Sequence, residues 1–260
     1  MNAAPASALP ALFIGHGSPM NAIEDNAFTR SWRTLAAEIS RPLAIVCVSA
    51  HWTTRGTFVS GAEHPETVHD FGGFPQALFD VRYPARGEPH LARRIAERVK
   101  STQIHIDPAQ GLDHGAWSIL RIMYPDADIP VLQLSVDPTQ PGDYHLRLGA
   151  ELAPLRDEGV LLIASGNIVH NLRLADFRNP APSDWALRAD ALVREKIETG
   201  DFDSVANWTE LSPEVARAVP TPEHFLPLLY PLGMRRGGEP VRIFNATVQS
   251  AISMTSVRIG

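Results

Sequence analysis

LAIVCVSAHW, Leu43 to Trp52, is nearly continuous in apolar residues. A run of that length and purity suits a central parallel strand covered on both faces of a sheet. It finishes in a histidine, His51. Upstream, PALFIGHGSP, Pro10 to Pro19, reads as a second short buried strand that leaves through Gly15, His16 and Gly17. Glycine permits tight backbone geometry there, and Pro19 discourages continuation. Downstream, VLQLSVDP (131–138) is another strand, and GVLLIASGN (159–167) is the strongest later strand signal; it again exits through glycine toward a histidine, His170.

The segments between these strands carry helical periodicity. Phe28, Trp32, Leu35 and Ile39 predict a helix over Ala22 to Ile39, and Leu91, Ile95 and Val99 predict one over Pro89 to Lys100 with the proline near its start. GLDHGAWSILRIMYP (111–125) reads as a loop entering a helix, with Asp113 as cap and Trp117, Leu120 and Tyr124 turned inward. Further helices are expected over Asp143 to Arg156 and Asp184 to Ile197, with shorter helical turns in PEVARAV and PEHFLPLLY. Short strands fall around Thr57 to Ser60 and in STQIHIDPAQ, and FNATVQSAISMTSVRIG ends the chain with two more, mixing the sheet at one side. Strands alternating with helices define an α/β class: one domain with a central mixed, mostly parallel sheet flanked by helices. Residues 1–8 are expected to be a flexible N terminus and 9–260 the domain. Ligands of open α/β sheets bind beyond the C-terminal strand ends, where His16 and His51 fall.

The 260 residues are 44% hydrophobic and 20% charged, enough to enclose a core, so overall disorder is excluded. A net charge of -6 exerts no general pull on nucleic acid or an anionic membrane. The opening MNAAPASALP lacks the basic start and apolar run of a secretory signal, and no segment has the length to span a bilayer, so a cytoplasmic protein is expected. The single cysteine, Cys47, sits inside the apolar run and reads as a buried small hydrophobe; it excludes an intrachain disulfide or a cysteine-based zinc site.

Neutral imidazole is a good ligand for a divalent metal, and separate strand ends can position several imidazoles rigidly. GHGSP, SAHW, SGNIVH and PEHFLPLL each put a histidine beside a strand terminus or turn, so a single metal held by His16, His51 and partners is expected. Seven segments in order, FIGHGSP, SAHW, TVHDFGGFP, GLDHGAW, LSVD, ASGNIVHN and TPEHFLPL, resemble the LigB-like (class III) extradiol aromatic ring-opening dioxygenases, and within them the 4,5-DOPA dioxygenase extradiol-like branch. The resemblance spans nearly the whole chain.

Carried over by position, the resemblance implies that His16, His51 and His224 are metal ligands. It implies that His170 is an acid/base or an additional metal contact, and that His114 is a second histidine lining the pocket. The broader superfamily often has a glutamate at the third ligand position, which makes Glu223 the competitor of His224. The implied reaction is O2-dependent cleavage of a small aromatic diol, with Fe(II) for catalysis and Zn(II) as an occupant of purified protein. Three neutral histidines leave the +2 charge uncompensated, which favours an arriving catecholate. Three protein ligands on an octahedral ion also leave positions for two phenolic oxygens and dioxygen. A zinc-dependent hydrolase and a metal-stabilised, non-enzymatic binding protein are the alternatives. A monomer or homodimer is equally compatible, with no nucleic-acid or membrane partner.

Of the other candidates, Trp52 reads as scaffold packing, and His69 with Asp70 as orienting a loop near the pocket. Asn167 reads as positioning the turn that bears His170, with Ser165 a weaker candidate. His64, His90, His105 and His145 match no motif and read as structural or surface histidines.

Overall fold

In the computed structural model, which describes residues 8–260, the chain starts in β1 (Ala11–Gly15) and makes a 3-10 turn over Pro19–Ala22. The expected flexible N terminus lies outside the described residues except for Ala8. Helix α1 runs over Ala27–Glu38, later than the periodicity alone predicts, because Asn26 forms a capping box. Its side chain accepts from the Phe28 and Thr29 amides, while Thr29 Oγ1 accepts from the Asn26 amide. β2 (Ala44–Thr53) and β3 (Thr57–Ser60) follow, then α2 (Gln76–Phe79), α3 (Pro89–Arg98) and β4 (Ile104–Asp107).

Helix α4 (His114–Met123) leads to β5 (Val131–Val136), and α5 (Gly142–Leu152) to β6 (Val160–Gly166). α5 stops short of the expected Arg156: Pro154 has no amide hydrogen to continue the ladder, and residues Ala153–Glu158 tighten into a 3-10 helix. Helices α6 (Asp184–Thr199), α7 (Phe202–Ala206), α8 (Pro213–Ala218) and α9 (Leu229–Gly233) precede β7 (Val241–Phe244). Three short strands, β8 (Val248–Gln249), β9 (Ile252–Ser253) and β10 (Ser256–Ile259), close the chain.

Eight strands form one sheet in the order β4-β3-β5-β2-β6-β1-β10-β7, and β8 pairs with β9 separately. The inner four, β5, β2, β6 and β1, are all parallel, so their C-terminal ends share one edge. Mixing was expected at one side and occurs at both. β10 is antiparallel to β1, and β3 is antiparallel to β5. The second reversal comes from the short link after β2. Its Thr54 amide donates to Val136 O at the end of β5, the chain turns at Gly56 with φ +80°, and it comes back as β3.

Alternate residues of the inner strands enter two separate cores, one on each face. Phe13, Val46, Val48 and Leu162 face α3, α5, α6 and α9, whereas Leu12, Ile14, Ile45 and Ile163 face α1 and α4. Burial on both faces accounts for the unbroken apolar runs. No helix among the described residues is long and apolar enough to cross a membrane.

Candidate metal centre

Two backbone junctions and the end of β2 bring remote histidines to the shared strand edge. The His16 amide donates to Gly166 O at 3.1 Å, tying the exit of β1 to that of β6. His51 lies near the C-terminal end of β2. His224 ends a 3-10 turn over Pro222–His224, and its carbonyl accepts from the Asn167 amide at 2.8 Å. That approach requires glycine at 166, since a Cβ there would stand 2.2 Å from the His224 carbonyl oxygen. Gly115 is equally constrained, because its Cβ would lie 2.5 Å from Ser49 Oγ and 2.9 Å from His51 Cδ2. Asp113 caps α4 through the Ala116 amide at 3.1 Å, as its place before the helix predicts. It also accepts from Ser49 Oγ and Gln133 Nε2, each at 2.6 Å, which locks α4 to β2 and β5.

His16, His51 and His224 each offer a ring nitrogen within 4.8 Å of the others. The Nε2 atoms of His16 and His51 are 3.2 Å apart. The hydrogen-bond network assigns the tautomers. Ser165 Oγ donates to Gly115 O at 2.6 Å, so toward His16 Nδ1, at 3.0 Å, it acts as acceptor; His16 carries its hydrogen on Nδ1 and a lone pair on Nε2. His224 Nδ1 donates to Glu223 Oε1 at 3.2 Å, which leaves a lone pair on Nε2. That Nε2 is buried and has no hydrogen-bond partner.

An unpaired buried lone pair close to two further imidazoles is destabilising until a cation or a hydrogen-bond donor meets it, and a cation can satisfy all three rings at once. Two nitrogens each about 2.1 Å from one ion stand about 3.0–3.4 Å apart for octahedral to tetrahedral angles, and the 3.2 Å edge between His16 and His51 falls in that range. The residues present therefore fit a divalent metal.

Burial is the main force keeping these rings neutral. It drives the His16 pKa well below its ordinary value, with the neighbouring histidines adding to the effect. For His51, burial followed by His114 and His224 lowers the pKa to about 2, and His224 is lowered in the same direction by burial. Burial works to raise the Glu223 pKa, but the hydrogen bonds to its carboxylate from His224 and Thr221 prevail and hold it at about 2. Glu223, the sequence-level competitor for third ligand, is thus an ionised acceptor for His224.

His114 is buried, with its ring centroid 3.8 Å from that of His51 and Phe71 edge-on at 5.4 Å. His170 stacks face to face on His224, with centroids 3.5 Å apart and planes 8° apart. Its ring nitrogen groups with Glu223 and His224 rather than with the His16, His51 and His224 triad. Burial, then His224, lowers the His170 pKa to about 3.

Asp70 contacts the cluster directly: its Oδ1 accepts from the His114 amide at 2.9 Å, and its Oδ2 lies 2.9 Å from His114 Nδ1 and 3.5 Å from His51 Nδ1. Sequence reasoning placed Asp70 on an adjoining loop and ranked Ser165 below Asn167. Yet Ser165 bonds the His16 ring, while the Asn167 side chain donates to Ser253 O. Position gave the only available clue, since Ser165 lies on β6 just before its glycine exit and Asp70 directly follows a histidine. Trp52 is buried in the scaffold, as expected. His90 contacts Arg93 at the surface, and His105 packs against Phe58.

The model of the catalytic LigB subunit of aromatic ring-opening dioxygenase matches residues 10–255. A protein from Escherichia coli K12 named 4,5-DOPA dioxygenase extradiol is 49% identical over 257 residues, covering 97% of this chain and 95% of that protein. A protein of the same name from Beta vulgaris is 40% identical over 228 residues, covering 85% of each chain. The crystal structure of an uncharacterized Escherichia coli K12 protein superposes with a TM-score of 0.83 at 42% identity, covering 97% of this chain and 100% of the other. With the fold, the clustered histidines and these relatives in agreement, the chain belongs to the LigB family of aromatic ring-opening dioxygenases and is an extradiol ring-cleavage dioxygenase.

Proposed function

We propose that the substrate is a catechol of the DOPA type, cleaved outside its diol by O2 at one Fe(II) held by His16, His51 and His224. The orphaned Nε2 of His224, facing the paired Nε2 atoms of His16 and His51, is the observation that carries this reading. The name shared by the Escherichia coli and Beta vulgaris relatives supports the substrate class.

Ferrous ion in that position supplies open coordination sites and the one-electron chemistry that dioxygen requires. Zn(II) fits the same nitrogens in purified protein but has no redox chemistry. The protein's own contribution begins with charge. All three ligands are neutral, so the pocket favours a diol that arrives as, or becomes, an anion. His170 takes the diol proton. Its imidazole is neutral at pH 7 and so free to accept a proton, and the nearby Glu223 carboxylate favours the protonated ring against the burial that disfavours it. Stacking on His224 and the nearby Glu223 carboxylate set the orientation of His170. His114, held by Asp70, faces the same cluster and returns a proton to the opening ring. Phe71 stands edge-on to His114 and offers an aromatic wall to the substrate ring. The same reading describes a cytoplasmic enzyme, monomeric or dimeric, acting on a small aromatic diol without a nucleic-acid or membrane partner.

Metal-stripped protein reloaded with Fe(II) in the absence of oxygen, then given air and a panel of catechols, tests this directly. A yellow ring-opened product with one O2 consumed per catechol is expected, with DOPA-like catechols preferred. Absence of oxygen uptake at full ferrous occupancy, combined with oxygen-independent hydrolysis by the zinc form, would overturn it.

A further inference from the structure

The segment HDFGGFP, His69 to Pro75, belongs to no regular element, and Gly72 and Gly73 open onto free space. The Asp70 side chain is 25% accessible and reaches inward from this exposed loop to two imidazoles contributed by β2 and the first turn of α4. One carboxylate oxygen accepts from the His114 backbone, which fixes the carboxylate plane. The other faces His114 Nδ1 at 2.9 Å and His51 Nδ1 at 3.5 Å. The contact with His114 Nδ1 is off the line of a hydrogen bond, so the shared oxygen serves both rings by charge and proximity.

We infer that Asp70 is a positioning residue for ring cleavage: one carboxylate holds His51 with its hydrogen on Nδ1 and its Nε2 lone pair directed at the metal, and orients His114 at the same time. The inference rests on the metal-centre reading given above and goes beyond the ligand set. It completes a pattern, because His16 Nδ1 has Ser165 Oγ and His224 Nδ1 has Glu223 Oε1, which leaves Asp70 as the group facing His51 Nδ1. The first two are hydrogen bonds, whereas Asp70 acts on His51 by charge at 3.5 Å; negative charge behind a ligating imidazole favours the tautomer with its hydrogen on the near nitrogen and raises the basicity of the far one. Asparagine reverses this action at constant shape. With its oxygen retained by the His114 amide, its NH2 faces the two Nδ1 atoms and draws the His51 hydrogen onto Nε2, where it blocks the metal-facing lone pair.

The test is Co(II) titration of metal-stripped, full-length protein, read by visible absorption, together with kcat and KM of the Fe(II) form toward one catechol. For Asp70→Asn, one cobalt equivalent is expected to bind about 10–100-fold more weakly with an altered spectrum. Its kcat falls by about the same factor while KM changes less than about twofold. Asp70→Glu keeps the carboxylate and recovers part of the loss. Nitrogen-15 spectra of the metal-free proteins provide a readout independent of the ion: His51 is an Nδ1–H tautomer in the wild type and shifts toward Nε2–H in Asp70→Asn. Wild-type cobalt affinity, spectrum and His51 tautomer in Asp70→Asn would overturn the inference while leaving the metal centre intact. Loss of a second cobalt equivalent would overturn it by making Asp70 a ligand. Failure of the wild type itself to bind cobalt would remove the metal centre and the inference together.

Discussion

Two buried imidazoles, His145 on α5 and His224 at the strand edge, differ in how far the protein satisfies their ring nitrogens. His145 Nε2 donates to Asp137 O at 3.2 Å, and its Nδ1 accepts from the Tyr230 hydroxyl at 3.1 Å, so both nitrogens are satisfied. His224 has a partner for Nδ1 only, and its buried Nε2 is left bare among other imidazoles. Both rings are kept neutral by burial, which lowers His145 to about 4. Neutrality and depth therefore do not distinguish them. The unfinished hydrogen-bonding account does, and the metal ion proposed above would complete it.

The largest expected effect breaks the comparison at its functional end. His51→Ala should reduce bound metal from one ion per chain to below about a tenth, with ring cleavage lost in proportion, because no other side chain replaces a ligand on a rigid strand. His145→Ala should bind a full equivalent. Metal analysis of both purified variants decides the matter, and equal occupancy would erase the distinction between the two sites.

In metal-free protein the order should invert. His145→Ala opens a cavity and takes one bond each from the Tyr230 hydroxyl, which keeps only a long contact to Ser135 O, and from the Asp137 carbonyl, which keeps the Gln140 amide, at a cost of about 2–4 kcal/mol. His51→Ala removes a crowded ring and should cost less than about 1 kcal/mol. Urea unfolding of both proteins at pH 7 makes the comparison. A pH series sharpens it. Because the folded His145 pKa is depressed to about 4, the unfolded chain takes up a proton below about pH 6.5 that the folded chain refuses. Its contribution to stability is therefore fully present above that pH and is lost as pH falls toward about 4, over a range worth on the order of 3 kcal/mol. His145→Gln should unfold with a shallower acid dependence than wild type across that window. Parallel curves would show that His145 is solvated in the folded state.

The parallel heart of the fold was legible because strands buried on both faces read as nearly continuous apolar runs, and two of the four, β1 and β6, end at a glycine that changes direction. The edges were not. β8 and β9 have two residues each, too few to carry a period, and the reversal into β3 depends on how the Thr54–Gly56 link wraps the end of β5. The histidines that gather were legible through their motifs at strand exits. Their partners were not, because a hydroxyl or carboxylate shows its function only through what stands opposite it. Ser165 and His16 are 149 residues apart, and no local pattern joins them.

Ser165 and Asn167 accordingly supply the finest test, two neighbouring polar residues at one strand exit with different targets. Ser165→Ala removes the acceptor behind His16 Nδ1 and frees that ring to place its hydrogen on Nε2, toward the metal. A loss of about tenfold in metal affinity is expected, with a stability cost of about 1 kcal/mol from the abandoned Gly115 carbonyl. Asn167→Ala loses only its bond to Ser253 O; its backbone amide still holds the His224 carbonyl. It should shift thermal stability by a similar amount while metal affinity stays within about twofold of wild type. Competitive titration against a chelator separates the two. If Asn167→Ala weakens the metal as much as Ser165→Ala does, the ion is being held by the rigidity of the β6 exit as a whole, and the hydrogen bond to His16 has no special part in it.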